Sequence, residues 1–128
     1  MEYHKIKFSL LSRGADQKET TIENGEIEFQ VFEPQRLSRL IKASDNLVTV
    51  PIPDVDFNYC FIRATYSEND SAVPAKQGDP APLTYRLNGS LDDVVCPKGI
   101  AIITTDISQL QIATSYDTNK ILVEVYLG

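Results

Sequence analysis

The side chains that could carry out chemistry in this sequence begin with a single histidine, His4, and two cysteines, Cys60 and Cys96. General acid–base catalysis by His4 would need a partner carboxylate and a pocket, and the neighbouring sequence indicates neither. A cysteine nucleophile would need a histidine within reach, and the chain offers only one. We expect His4 to be a solvated side chain on the polar face of a strand. We expect both cysteines to be reduced core residues, and a single bridge between them stays open.

Acidic residues form three short groups in segments of turn character, where oxygen ligands for Ca²⁺ could meet. The groups are Asp54-Val55-Asp56, Glu68-Asn69-Asp70 and Asp92-Asp93. None has the spacing of an EF-hand loop, and such groups arise easily among 18 acidic residues. The sequence also lacks a phosphate-binding loop, a dinucleotide fingerprint and a zinc-spaced Cys/His set. We therefore predict no catalytic, metal-binding or cofactor-binding residues, and a protein that is not an enzyme.

Tyrosines are the side chains that could bind a sugar, because lectin-type sandwiches stack aromatic rings on sugar faces. The candidates are Tyr66, Tyr85, Tyr116 and Tyr126. The chain has no tryptophan, and tyrosines of this kind commonly lie at the edge of a core with the hydroxyl in water. Carbohydrate recognition is therefore kept as the alternative function.

Strict alternation of polar and apolar residues predicts β-strands along nearly the whole chain. In residues 5–10 the apolar side chains share one face, and residues 26–32 alternate in the same way. The buried positions of the second segment would be Ile27, Phe29 and Val31. The Asn24-Gly25 dipeptide favours a type I′ turn, which predicts a hairpin made of strands 18–23 and 26–32.

Further strands follow towards the end of the chain. Residues 57–66 are aromatic or apolar on both faces, which is typical of a strand at the centre of a sheet. Asn88-Gly89 is a second hairpin signal, and turn geometry explains it better than a glycosylation site at Asn88-Gly89-Ser90. The remaining predicted strands lie near 47–52, 83–87, 94–96, 100–104, 110–114 and 121–127.

Two segments break the strand rhythm. Pro34 to Ser44 is the one plausible helix, because Leu37, Leu40 and Ile41 follow helical spacing; an irregular strand is the alternative. Residues 67–82 form a long loop with three prolines and no aromatic residue. This loop is either a tolerated surface insertion or a docking segment. Because it holds few apolar side chains, we expect it to be dispensable for folding and needed for docking.

About eight to ten short strands separated by turns indicate an all-β fold, an antiparallel β-sandwich of jelly-roll type with at most one short helix. The 128 residues fit a single sandwich domain spanning 1–128. The net charge of −6 argues against a nucleic-acid partner, and no apolar run approaches the ~18–20 residues of a membrane span. We therefore predict no binding to nucleic acid or membrane.

Residues 46–128 contain a succession of strand and turn motifs: Phe61-Ile62-Arg63-Ala64, Leu83-Thr84-Tyr85-Arg86-Leu87-Asn88-Gly89, Val95-Cys96-Pro97-Lys98-Gly99-Ile100, Ile107-Ser108-Gln109-Leu110-Gln111-Ile112-Ala113-Thr114 and Ile121-Leu122-Val123-Glu124-Val125-Tyr126-Leu127-Gly128. With these motifs residues 46–128 resemble small jelly-roll virion proteins of tailed bacteriophages, whereas residues 1–45 match no family. These motifs mark a fold and contain no catalytic signature, so no functional residue is carried over.

The resemblance implies a structural role in the virion, as a capsid decoration or auxiliary protein or as a component of a head-tail appendage. The implied partners are other virion proteins, such as the major capsid protein or tail and neck proteins. Because such proteins are often trimers, we expect a homo-oligomer, with a trimer favoured. The implied location is the virion, assembled in the host cytoplasm. The alternative is a carbohydrate-binding sandwich on a receptor-binding appendage.

Overall fold

The computed structural model describes residues 2–16 and 18–128, and the regular secondary structure of these residues is β-strand apart from one short 3₁₀ turn. The chain separates into two compact units, residues 1–33 and residues 34–128. Within the described ranges no helix is long and apolar enough to cross a membrane. The predicted sandwich is present, and all of its strands lie in the second unit.

The first unit is a two-stranded antiparallel hairpin of β1 (Glu2–Arg13) and β2 (Glu19–Val31). This pairing overturns the predicted turn at Asn24-Gly25. Both residues lie inside β2, opposite Ser9 and Phe8. The Phe8 ring lies over Gly25 so closely that a Cβ on the glycine would come within 2.6 Å of the ring. Gly25 therefore leaves room for an aromatic ring of the neighbouring strand. This close approach explains the glycine without a turn.

The second unit holds eight strands: β3 (Gln35–Ile41), β4 (Val48–Val50), β5 (Cys60–Tyr66), β6 (Leu83–Leu87), β7 (Val94–Cys96), β8 (Ile100–Ile103), β9 (Leu110–Ala113) and β10 (Ile121–Leu127). They form two antiparallel four-stranded sheets, ordered β3-β10-β5-β8 and β4-β9-β6-β7. The first strand of the eight thus pairs with the last, the second with the seventh, the third with the sixth and the fourth with the fifth. This nested pairing is the strand order of a jelly roll.

The core lies between the two sheets and is built from alternating residues of each strand. In β10 the side chains of Ile121, Val123 and Val125 are almost fully buried, and those between them are only half-buried. β5 alternates similarly over its first five residues and lies between β10 and β8, which confirms its predicted place inside a sheet. The burial period of two is the one expected for strands that face a core on one side.

The segment predicted as a helix is a strand. Residues 35–41 form β3, and the only helical turn among the described residues is a 3₁₀ turn at Ala43–Asp45. Residues four apart share a face in a strand as well as in a helix, so Leu37 and Ile41 satisfy both patterns. Leu40 decides between them, because it lies on the opposite face of β3 and is 49% exposed.

The second predicted turn, Asn88-Gly89, is confirmed. Both residues have positive φ, and Ser90 N donates to Leu87 O at 2.9 Å, which closes a tight turn after β6. The Asn88 side chain also accepts a hydrogen bond from Ser108 N at 2.7 Å and donates one to Asp106 O at 2.9 Å. Asn88 therefore ties this turn to the connection between β8 and β9.

Candidate functional site

His4 has an acidic partner that its sequence context did not reveal. Its Nε2 lies 2.9 Å from a carboxylate oxygen of Glu2, two residues earlier on β1. The alternation of side chains along a strand places residues i and i+2 on one face, which explains the contact. His4 is half-buried, so it is not the fully solvated side chain expected from the sequence.

The two cysteines are unbridged, but their surroundings differ. Cys60 is fully buried on the inner face of β5, and burial raises the pKa of its thiol to about 12. Cys96 on β7 is half-buried, and burial also raises the pKa of its thiol. Because the thiolate is the reactive form, neither cysteine is activated as a nucleophile.

Two of the three acidic groups make local structural contacts. Asp70 accepts hydrogen bonds from Tyr116 Oη and from Ala72 N, and Asp93 pairs with Arg86. The hydrogen bond from Tyr116 is the first cause of a lowered pKa at Asp70. Within residues 2–16 and 18–128 no group of three or more His, Cys, Asp or Glu side chains could hold a metal ion.

The four tyrosines considered for sugar stacking do not form a common platform. Tyr66 and Tyr116 pack edge to face, with ring centroids 4.9 Å apart. Tyr85 packs against the core of the sandwich. Tyr126 lies on the outer face of the β3-β10-β5-β8 sheet, and the Arg36 guanidinium covers its ring at 5.1 Å from the centroid.

The long loop 67–82 is a folded segment rather than a loose insertion. Asp70 and Ala75 pair with each other through two backbone hydrogen bonds. Tyr66 at the end of β5 donates its backbone N–H to Asp79 O and accepts a bond from Gly78 N, both at 2.9 Å. Ala75 is also buried, which contradicts the expectation that the loop contributes little to the packed structure.

One side of the hairpin is a half-exposed apolar surface. The register of β1 and β2 places six apolar side chains on one side, one of which is the buried Val31. We call the other five the hairpin apolar face: Ile6, Phe8, Leu10, Ile27 and Phe29. Phe8 is 47% exposed and Leu10 is 56% exposed. Ile27 was expected to be buried but is 43% exposed, whereas Val31 is buried as predicted. Alternation predicted the shared face correctly, but it does not show whether anything covers that face.

Charge is distributed unequally between the hairpin and the first strand of the sandwich. Every charged residue of β2 is a glutamate: Glu19, Glu23, Glu26 and Glu28. Every charged residue of β3 is an arginine, Arg36 or Arg39. Arg13 pairs with Glu19 at 2.8 Å, and Lys5 lies 3.6 Å from Glu26. Glu23, Glu28 and Arg39 form no ion pair within the part of the chain that the structure describes.

β3 also borders a small apolar cavity of about 130 Å³. The cavity lies between the two sheets and is lined by the apolar side chains Leu37, Val50, Ile112, Val123 and Val125, with Arg39 beside them. Ile112 and Val123 belong to the fully buried core, so the cavity reaches the interior of the sandwich.

The outer face of the β3-β10-β5-β8 sheet carries a polar cluster next to apolar side chains. Arg36 and Tyr126 both bond to the Glu124 carboxylate, and the Arg36 bond is the first cause of the lowered pKa of Glu124. Phe61 packs beside Tyr126, with centroids 5.9 Å apart. Ile102, opposite Phe61 on β8, is 47% exposed.

Comparison with known proteins gives no relative from which a role could be transferred: no family model, curated protein or solved structure matches the chain significantly. The function must therefore be argued from the fold and from these surfaces.

Proposed function

We propose that this protein is a structural subunit of a bacteriophage particle, a capsid decoration or auxiliary protein or a head-tail appendage component that binds other virion proteins. The observation that carries the proposal is the half-exposed hairpin apolar face. A two-stranded hairpin is only marginally stable in water on its own, and a contiguous exposed apolar face usually marks a binding surface. Such a surface fits a subunit whose role is assembly.

The jelly-roll fold fits this role but does not select it, because viral capsid proteins and lectins share the architecture. The surfaces favour assembly over sugar binding. The tyrosines of the sandwich are engaged in packing or covered by Arg36, whereas the hairpin offers apolar side chains such as Phe8 and Leu10. The motifs of residues 46–128 that resemble phage virion proteins support the same choice.

The proposal extends to partners and location. The protein would be part of the virion after assembly in the host cytoplasm, in contact with a major capsid protein or with tail and neck proteins. It would also form a homo-oligomer, for which a trimer is favoured, because repeated subunits usually adopt closed symmetry. It would not be an enzyme and would act without a cofactor.

The proposal is tested by adding the purified protein to phage particles that lack it and measuring bound copies per particle by quantitative mass spectrometry. We expect saturable binding at a fixed number of copies. Replacing Phe8 and Leu10 together by serine should lower the apparent affinity at least about tenfold. The matched control is Lys7→Ser on the polar face of the same strand, which should bind as the unaltered protein does. Absence of saturable binding would refute the proposed role.

A further inference from the structure

We propose that β2 in the hairpin of one copy pairs with the free edge of β3 in a second copy. The second copy's sandwich would then gain a strand next to β3, and an apolar side chain of the hairpin would cover the cavity beside that strand. This inference rests on the proposed function and deepens it, because it names a second copy of this chain as the partner of the hairpin.

The first argument comes from the backbone. β3 lies at the end of its sheet and pairs only with β10, while β2 pairs only with β1. Each of these two strands therefore has one edge whose backbone N–H and C=O groups do not pair with another strand of the described residues. Such edges are templates for pairing with another chain.

The second argument is that β3 is longer than the other edge strands of the sandwich. Proteins guard sheet edges with short strands, prolines and charged side chains, and the guard that β3 carries is its two arginines, whose charge an acidic strand would neutralise. β4 and β7 have three residues each, and prolines follow them at Pro51 and Pro97. β8 has four residues. β3 has seven residues with no proline or lysine, and β2 has thirteen residues with neither.

Charge complementarity identifies the second copy as the occupant. β2 carries only acidic charges and β3 only basic ones, so identical strands would repel each other whereas β2 and β3 attract. Glu23 and Glu28 on β2 and Arg39 on β3 remain without an ion pair among the described residues. With Ile27 on the inner face of the extended sheet, Glu23 would lie on the same face as Arg39, and Glu28 would lie on the outer face with Arg36.

The cavity beside β3 supplies the apolar half of the interface. A strand added to β3 continues its sheet, so alternate side chains of that strand would extend the sandwich's inner face next to Leu37. Ile27, which is 43% exposed, is the apolar residue that β2 offers on this face. A cavity of about 130 Å³ is close in size to cavities of about 150 Å³ that accept a benzene molecule.

This interface joins two different surfaces, so it repeats from copy to copy. Head-to-tail interfaces of this kind form closed rings when the rotation closes. A three-membered ring would give the trimer that the proposed function favours. In that ring every copy contributes one β2 edge and one β3 edge, so both edges are paired, while Phe8 and Leu10 on β1 would stay open for other virion proteins.

A charge swap tests the pairing in the full chain. Arg39→Glu should raise the dissociation constant for self-association at least about tenfold in sedimentation velocity, and so should Glu23→Lys with Glu28→Lys. Combining all three changes in one chain should restore association, because the attraction is then reversed in sign. Lys98→Glu in the turn before β8 is the matched control and should associate as the unaltered protein does.

Thermal melting of each variant shows whether it is folded, and the restored triple variant is itself evidence of a folded chain. The inference is overturned if the unaltered protein is monomeric at every concentration, if Arg39→Glu associates as Lys98→Glu does, or if the triple variant fails to recover. These outcomes concern isolated protein, so binding to particles still decides the proposed function separately.

Discussion

Tyr116 donates a hydrogen bond through its phenolic oxygen to the carboxylate of Asp70, across 46 residues of sequence. Asp70 lies in the long loop 67–82, and Tyr116 lies in the connection between β9 and β10. The rings of Tyr66 and Tyr116 also pack edge to face. This small cluster anchors the long loop to the sandwich, and it gives that loop a structural role that its composition did not indicate.

Removing the Tyr116 hydroxyl tests this anchor. Tyr116→Phe keeps the ring packing but removes the hydrogen bond from Tyr116 to Asp70, so we expect the Tm to fall by a few degrees. The control is Tyr3→Phe, because Tyr3 is 66% exposed and its hydroxyl forms no hydrogen bond within residues 2–16 and 18–128. Equal melting temperatures for the two variants would show that the Tyr116 hydrogen bond contributes nothing.

The same pair predicts how stability depends on pH. The hydrogen bond from Tyr116 lowers the pKa of Asp70 below 3.8. The stability that this bond contributes is therefore present above that pH and is lost as the pH falls through the pKa of Asp70 in the folded state. The bond to Asp70 raises the pKa of Tyr116 from 10.0 to about 12, so that contribution is complete below pH 10.0 and is lost as the pH rises through about 12.

The measurement is the difference in Tm between the unaltered protein and Tyr116→Phe across the pH range. We expect a constant difference from about pH 5 to 9, which narrows below Asp70's ordinary pKa and again above pH 10.0. A difference that stays constant from acid to alkali would contradict the linkage between these two groups.

Much of the sandwich could be predicted from the sequence, because its strands alternate strictly and face one core. The predicted bounds of β6, β7 and β10 agree with the structure. Asn88-Gly89 was correctly predicted as a turn, whereas Asn24-Gly25 was not a turn at all. The Asn-Gly dipeptide permits a turn in both places. At residues 24–25, only the pairing of Gly25 with Phe8 on β1 decides against a turn.

The candidate surfaces were harder to predict, for a physical reason. Alternation shows that Phe8 and Leu10 share a face, but burial depends on what packs against that face. The same limit affected β3, where Leu37 and Ile41 fit a helix as well as a strand. The cavity beside β3 involves residues from four strands, and no local pattern reports such a meeting point.

Gly99 and Gly25 should lose different amounts of folding stability when each is replaced by alanine. Gly99 has φ +66°, and an added Cβ would come within 2.6 Å of the Ala64 carbonyl oxygen, so Gly99→Ala should destabilise the fold by at least about 2 kcal/mol. At Gly25 the obstacle is the end of the half-exposed Phe8 ring, which can move. Gly25→Ala should therefore cost less than about 1 kcal/mol. Urea denaturation measures both values, and equal losses would contradict this account.

The two thiols should differ in reactivity although both are free. In the native protein we expect a thiol reagent to modify Cys96 and to leave Cys60 unmodified, because Cys60 is fully buried and the pKa of its thiol is raised to about 12. After unfolding without reductant, titration should find two free groups. In Cys96→Ser a single group should react, and only after unfolding. Modification of Cys60 in the folded state would show that its strand opens readily.

Replacing residues 69–80 by a short Gly-Ser link tests the structural role of the long loop. The sequence predicted that this change would leave stability nearly intact. The structure predicts a large loss, because the link would remove the Asp70–Tyr116 bond, both backbone bonds at Tyr66 and the buried Ala75 side chain. Losing about 2 kcal/mol or more would lower the Tm by roughly 10 °C in a domain of this size.

Val73→Ser is the matched control, since Val73 is 45% exposed within the same loop. This variant should melt at the same temperature as the unaltered protein. If the linked variant also melts unchanged, the loop is a tolerated insertion and its contacts with the sandwich contribute no stability.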